Sequence, residues 1–293
     1  MHSHAQSESA ARSYLYVPGD QKERLDGASA RGADALILDL EDSVSLQNKT
    51  LARERVAAWL ADNGETTGQV WVRTTSTSPA ADIAALTSRV TGVMVPKAEP
   101  ELLRAVDELL TSRERELQAV HGSFAIIALI ETARGLLSAA ELASLPRVAR
   151  LAIGRADLAG ELGLRLEPED AGLDPLLLQL VIASAAAGIA SPMAPTSTDF
   201  RDLVALREST ERLLRLGFRG RSAIHPAQLA TINEVFTPSE AEVQRASRLV
   251  AAFEESERGG AGVMTDDDGR MVDVAVVRSA REVLARAGAR QGS

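Results

Sequence analysis

The sequence predicts an α/β fold, a (β/α)8 TIM barrel with a small C-terminal lid. Three observations carry that expectation. First, short apolar runs alternate with longer amphipathic segments. The runs are "YLYV" (14–17), "ALILDL" (35–40), "VWVR" (70–73), "GVMVP" (92–96), "FAIIALI" (124–130), "VARLAIG" (148–154), "GIASPM" (188–193) and "RSAI" (221–224). Second, the segments between them read as helices. In "PELLRAVDELLTSRERELQAV" (100–120), Leu102, Leu103, Val106, Leu109 and Leu110 recur at helical spacing on one face; "KTLARERVAAWLAD" (49–62) is a second such segment. Strands alternating with helices imply parallel strands and right-handed crossovers, and eight units in about 230 residues fit a barrel. Third, "VPGDQKER" after the first run holds one glycine and no dinucleotide fingerprint, which weakens the competing doubly wound sheet.

The ends of the chain differ from this pattern. Residues 1–12, "MHSHAQSESAAR", are polar, lack the apolar core of a secretory signal, and are expected to be a disordered tail. The barrel is expected over 13–258. Beyond it, "RGGAGVMTDDDGRMVDVAVVRSAREVLARA" reads as a loop or short hairpin followed by a last helix. This 259–293 segment is too small to hold a core alone and is expected to cover a barrel mouth, its own or a neighbour's.

Composition narrows the function. Hydrophobic residues make up 45% and charged residues 25% of the 293, as in ordinary globular proteins; aromatics are only 3%, so Ala, Leu and Val must fill the core. A net charge of −9 argues against nucleic acid as a partner and suits a cytoplasmic protein. No apolar run approaches the roughly 20 residues of a membrane helix. With no cysteine, disulfides, thiolate metal sites and cysteine nucleophiles are excluded.

In a barrel the active site lies at the C-terminal ends of the strands. There the sequence places Asp39, Glu41 and Asp42 after strand two, Arg73 at the end of strand three, Lys97 after strand four, Glu131 after strand five, Asp157 after strand six and His225 after strand eight. The carboxylate of Glu131 ends a strand built for a dry core, and a charge tolerated there needs a cationic partner. Glu131 and Asp157 are hard oxygen donors that, with waters and substrate oxygens, describe a Mg²⁺ site; no His/Cys set points to zinc. The alternative is a structural salt bridge from Glu131 to Lys97 or Arg134.

Several segments resemble the citrate lyase β-subunit-like (CitE-like) proteins of the HpcH/HpaI aldolase/citrate lyase superfamily. They are "LYVPGDQKERLDGASARGADALILDLEDSV", "VMVPKAE", "ALIETARG", "IGRADLAGELG", "GFRGRSAIHPAQLATINEVFTPS" and "DDDGRMVD", in family order from Ser13 to about Ala287. The resemblance implies a Mg²⁺-dependent barrel that breaks or forms a C–C bond next to a carbonyl. The substrates implied are CoA thioesters of malate-, citramalate- or citrate-like acids, and the assembly implied is a homotrimer or homohexamer. It also implies roles. Glu131 in "IET" and Asp157 in "GRADL" match the metal ligands. Arg73 in "WVRTT" matches the arginine that grips the substrate carboxylate, a task suited to a guanidinium fork. Glu41 and Asp42 match acids near the metal waters, with second-layer scaffolding as the alternative. Arg24 lies where relatives place basic residues near CoA phosphates, or is simply an exposed helix arginine. Lys97 is a candidate to orient a carboxylate. His225 in "AIHP" reads as a structural hydrogen-bonder. Asp273 in "DGRMVD" matches a lid aspartate that serves as general acid or base in a neighbouring subunit's site; it is also a natural helix N-cap.

The sequence departs from the family pattern at Thr75, where asparagine is usual, at Ala194, where many relatives have aspartate, at Leu177 and Ala185, where arginines are common, and at Arg221, where lysine is usual. These departures leave the metal and Arg73 motifs intact and alter the acyl or CoA pocket. The expected activity is carbon–carbon cleavage of a hydroxyacyl-CoA thioester. The alternatives are malyl- or citramalyl-CoA hydrolysis, malate-synthase-like condensation, CoA-free cleavage of 4-hydroxy-2-oxo acids, and a non-catalytic barrel that binds a 2-oxo acid.

Overall fold

The computed structural model describes residues 11–62, 68–165, 171–260, 262–266 and 268–288. Eight parallel strands close a barrel in chain order: β1 (Ser13–Pro18), β2 (Ala35–Asp39), β3 (Gln69–Arg73), β4 (Gly92–Val95), β5 (Ala125–Ile130), β6 (Val148–Ile153), β7 (Ala190–Ala194) and β8 (Gly220–Ala223). The helices around it are α1 (Lys22–Asp26), α2 (Lys49–Asp62), α3 (Pro79–Ile83), α4 (Pro100–Glu116), α5 (Ala133–Leu137), α6 (Ala139–Ser144), α7 (Arg155–Glu161), α8 (Asp174–Ala187), α9 (Leu203–Leu216) and α10 (Leu229–Phe236). The barrel fold expected from the sequence is the fold observed.

The continuous apolar runs follow from burial on both faces. In β5 every residue is buried. Ala125, Ile127 and Leu129 fill the barrel interior with Tyr14, Ile37, Trp71, Met94 and Met193. Ile126, Ala128 and Ile130 face the helices with Leu103, Val106 and Leu142. Gly92 is required where β4 meets β5, because a Cβ there would lie 2.0 Å from the Ala125 carbonyl oxygen. Gly188, expected in strand seven, instead ends α8 in the left-handed region with φ 69°, and β7 starts at Ala190.

The base of the barrel corrects one expectation. Residues 1–10 of the expected tail lie outside the described residues, but Ala11 is buried and Arg12 is tied to Asp34 by Nε–Oδ2 and Nη2–Oδ1 bonds of 2.6 and 2.7 Å. Beside them the buried Arg150 donates to the Tyr14 hydroxyl at 2.7 Å and to the Ala11 carbonyl at 3.3 Å. Those bonds give residues 11 and 12 fixed places in the fold.

The chain divides into two compact units, Met1–Phe236 and Thr237–Ser293. The second holds α11 (Glu240–Arg258), the hairpin strands β9 (Met264–Thr265) and β10 (Met271–Val272), and α12 (Val274–Gly288). The sequence placed residues up to 258 in the barrel. The structure assigns α11 to the C-terminal unit because its Phe253 packs with Val272 and Val277 in a separate core. A capping box between Ser239 and Glu242 starts α11. Among the described residues no helix is long and apolar enough to cross a membrane.

Candidate active site

At the C-terminal ends of β2 and β3 a buried ion pair organises the mouth. Arg73 binds Asp39 in fork geometry, Nε–Oδ1 and Nη2–Oδ2 both 2.7 Å. The two Asp39 oxygens also accept the N–H groups of Glu41 at 2.9 Å and Ser43 at 3.2 Å. Burial alone would raise the Asp39 carboxyl, but the Arg73 bonds and charge outweigh it and hold it below the usual carboxylate range. Arg73 Nη1 reaches further, to Asp42 Oδ2 at 3.0 Å and Glu41 Oε2 at 3.5 Å. Its guanidinium carbon stands 5.0 Å from the centre of the Tyr16 ring, and the Tyr16 hydroxyl donates to Met94 Sδ at 3.2 Å. Burial, the main cause, pushes the Tyr16 phenol well above its ordinary range.

Glu131 follows β5 directly. One oxygen accepts the backbone N–H of Lys97 at 2.9 Å, which Lys97 presents from a left-handed conformation with φ 48°. The other side of the carboxylate rests on Gly154, where a Cβ would lie 2.5 Å from Glu131 Cγ and Oε1. Burial, aided by the charges of Glu41 and Asp157, pushes the Glu131 carboxyl up to about 7, against the Lys97 N–H and Arg73. Glu41 is likewise raised, chiefly by burial and then by Asp42, and among the described residues its Oε2 is buried without a hydrogen-bond partner, with only the 3.5 Å ionic contact to Arg73.

Asp42, Glu131 and Asp157 each offer a carboxylate oxygen, and these oxygens lie within 4.8 Å of one another. Three hard donors, one of them the buried carboxylate of Glu131 that burial has left reluctant to ionise, fit a small divalent cation of the Mg²⁺ class. The chain has no cysteine to compete for the site.

Six of the residues that the sequence places at the mouth therefore come together: Asp39, Arg73, Glu41, Asp42, Glu131 and Asp157. Asp42, expected near metal-bound water, stands among the potential ligands themselves. The structural-salt-bridge reading of Glu131 fails, because Arg134 pairs instead with Glu99 and Glu101 at 3.4 and 3.2 Å. Lys97 gives its backbone N–H to Glu131, while the charge of its exposed side chain favours the ionised form of Glu41. Arg24 is exposed on α1. Asp273 lies in the C-terminal unit and caps α12, its Oδ1 accepting the N–H groups of Ala275 and Val276 at 2.9 and 3.1 Å. His225 is a structural hydrogen-bonder: its Nδ1 accepts the Ala227 N–H at 3.1 Å, and its ring stacks on Phe200.

The departures from the family pattern have local explanations. Thr75 donates both N–H and hydroxyl to Asp82 Oδ2, at 2.6 and 2.7 Å. Arg221 is buried and donates to the Pro195 carbonyl, Ser209 and Thr210 at 2.9, 2.8 and 2.7 Å. Leu177 and Ala194 are buried in the packing around the barrel, and Ala185 is exposed on α8. Sequence reasoning missed one pairing and two contributors. Asp39 was visible as an acid but not as the Arg73 counter-ion. Tyr16 looked like part of an apolar strand, and Gly154 carried no signal of its contact with Glu131.

Proteins of known sequence and structure are similar to this chain over nearly its full length. A (3S)-malyl-CoA thioesterase of Cereibacter sphaeroides (strain KD131 / KCTC 12085) is 37% identical over 285 residues, 95% of each chain. Citrate lyase subunit beta of Leuconostoc mesenteroides subsp. cremoris is 31% identical over 291 residues, 97% of this chain and 95% of that one. The crystal structure of CitE from Mycobacterium tuberculosis in complex with magnesium, acetoacetate and coenzyme A superposes with a TM-score of 0.76 at 30% identity, covering 96% of this chain and 99% of that one. The family model for HpcH/HpaI aldolase/citrate lyase spans residues 12–226, from the base of the barrel past β8, and the chain belongs to that family.

Proposed function

We propose that this chain is a Mg²⁺-dependent enzyme acting on the CoA thioester of a malate-like hydroxy acid, and that it cleaves the carbon–carbon bond beside the hydroxyl-bearing carbon. The observation that carries the reading is the convergence of Asp42, Glu131 and Asp157 beside the Arg73 fork. These three carboxylates would hold the cation, which when bound supplies Lewis acidity and a template for substrate oxygens. The similarity to a CitE structure holding magnesium and coenzyme A supports both partners.

The chain's own groups divide the remaining work. Arg73 has spent one N–H of Nη2 on Asp39 and retains the other for a substrate carboxylate. Asp39 fixes the direction of that fork and balances its charge. Glu41, with a buried oxygen free of hydrogen bonds and a carboxyl raised by burial, is the group to take the hydroxyl proton. As the bond breaks, a 2-oxo acid is released and the thioester fragment leaves as an enolate. Asp273, delivered by the lid of a neighbouring subunit in a homotrimer or homohexamer, returns a proton to it. Arg24 lies on the C-terminal side of β1 and is proposed to meet CoA phosphates. A cytoplasmic location suits a CoA-dependent enzyme.

A second reading, thioester hydrolysis, is favoured by the 37% identity to the malyl-CoA thioesterase. One experiment separates the two. The purified chain with Mg²⁺ is given (S)- and (R)-malyl-CoA, citramalyl-CoA and citryl-CoA, and both carbonyl product and free thiol are followed. Carbonyl without thiol supports the lyase. Thiol without carbonyl supports hydrolysis. Neither product overturns both readings and leaves a CoA-free aldolase or a 2-oxo acid-binding barrel.

A further inference from the structure

Helix α2 begins against its own electrostatics. Lys49 is its first residue, Arg53 and Arg55 follow, and its first turn holds no acidic residue. Positive charge near a helix N-terminus opposes the macrodipole. The three side chains end on segments that follow three different strands. Arg55 Nη1 donates to the carbonyl of Asp20, after β1. Arg53 Nε donates to Asp82 at 2.6 Å, the residue that anchors Thr75 after β3. Lys49 Nζ donates to two successive carbonyls after β2, Leu40 at 2.7 Å and Glu41 at 2.5 Å.

We infer that Lys49 is a positioning residue for the cation site, holding the turn that presents Glu41 and Asp42. The inference rests on the metal reading proposed above. Its physical basis is the state of two peptide groups. The Leu40–Glu41 peptide is held from both sides, its carbonyl by Lys49 and its N–H by Asp39 Oδ1 at 2.9 Å. The Glu41–Asp42 peptide has its carbonyl held by Lys49 and by the Val44 N–H at 3.0 Å. With both planes fixed, the direction in which Asp42 leaves the backbone is fixed too. The turn needs such a hold. It carries Asp39, Glu41 and Asp42 within four residues, and like charges this close favour any opening that separates them. Arg73 neutralises the inner side of the turn, and the Lys49 ammonium binds it from the helix side. Without Lys49 the two carbonyls lose their charged donor and the turn is free to carry Asp42 away from Glu131 and Asp157.

The test is Mg²⁺ binding itself, measured by titration calorimetry on the full-length chain, with thermal melts in chelator. Lys49→Met should weaken Mg²⁺ binding about 10- to 100-fold, the range expected when a group that orients a metal ligand is lost. The melting temperature of the metal-free chain should change little. Lys49→Arg can donate to both carbonyls and should bind within about threefold of the parent. A Lys49→Met chain that melts earlier but binds Mg²⁺ as tightly as the parent overturns the inference, because Lys49 is then only structural. Should Lys49→Met fail to fold, Lys49→Gln carries the same comparison, and parental affinity in that variant overturns it equally. A parent that takes up no Mg²⁺ overturns the functional reading first, and with it any cation site for Lys49 to serve; a parent that binds and a variant that binds equally overturn the Lys49 role alone.

Discussion

Asp39→Asn should be among the costliest single substitutions in the barrel, although it changes no side-chain shape. Each Asp39 oxygen accepts two donors: Oδ1 from Arg73 Nε and Glu41 N, Oδ2 from Arg73 Nη2 and Ser43 N. An asparagine amide turns one of these oxygens into a donor, so that two N–H groups face an NH₂ whichever way it is flipped. One charge-assisted bond worth about 1.5–3 kcal/mol is lost, and Arg73, buried to 8% exposure, loses its forked counter-ion and keeps only the single-point contacts to Asp42 and Glu41. Breaking one side of a buried pair costs about 3–5 kcal/mol, and that is the loss expected here, a large fraction of a typical total of about 5–15 kcal/mol. Urea denaturation followed by far-UV circular dichroism measures it. The double variant Asp39→Leu with Arg73→Met removes both charges and should recover part of the loss, because an uncompensated buried charge costs more than an apolar pair. A loss below about 1 kcal/mol, the scale of an exposed pair, or strict additivity in the double variant, would refute the view that Asp39 exists to hold Arg73.

Three further predictions concern carboxylates. Glu131→Gln should abolish Mg²⁺ binding in calorimetry yet stabilise the metal-free chain above pH 7. The folded carboxyl sits at about 7, above its unfolded value of about 4.3, so ionisation costs the metal-free chain up to about 4 kcal/mol as pH rises through that window; equal parent and variant melts in chelator at pH 8 would contradict this. Gly154→Ala should weaken Mg²⁺ binding tenfold or more, on the order of other losses of ligand orientation, because its Cβ would lie 2.5 Å from Glu131 Cγ; unchanged affinity would show that Glu131 has room to spare. Far from the mouth, burial would raise Glu114, but Arg147 and the N–H groups of Gly122 and Phe124 hold its carboxyl at about 2. Its contribution is therefore present above pH ~4.3 and lost as pH falls toward 2. It amounts to less than about 3 kcal/mol because the site borders a solvent-open cavity of about 270 Å³. Glu114→Gln should flatten the acid limb of the stability profile, and an unchanged limb would remove Glu114 from that role.

Much of the architecture could be read without coordinates because burial on both faces leaves a local signature. Ile126 to Ile130 must be apolar at every position whether they face the barrel interior or the helices, and such runs separated by amphipathic helices have few ways to pack. The charges of the site were legible for the same reason: Arg73, Glu131 and the acids after β2 interrupt runs that otherwise exclude charge. Boundaries set by backbone geometry were less visible. Gly188 was taken into a strand because its neighbours are apolar, whereas its left-handed conformation ends α8. Helix α11 was joined to the barrel because its pattern is simply that of an amphipathic helix, and only its packing against Val272 and Val277 assigns it to the C-terminal unit.

Who pairs with whom was decided only in three dimensions. Asp39 and Arg73 are 34 positions apart and meet because β2 and β3 are register partners at those residues. Lys97 was a candidate to orient a carboxylate, and its contact with Glu131 is made by its backbone N–H, while the side chain that grips the acidic turn belongs to Lys49. Gly154 touches Glu131 because β6 follows β5 around the barrel. By itself the sequence determined which residue types lie in strands, in helices and at the mouth, because solvation and periodicity act along the chain. The tertiary structure decided which carboxylate is neutralised, which is left ionisable and which backbone groups hold them, because those depend on distances of a few ångströms between segments far apart in sequence.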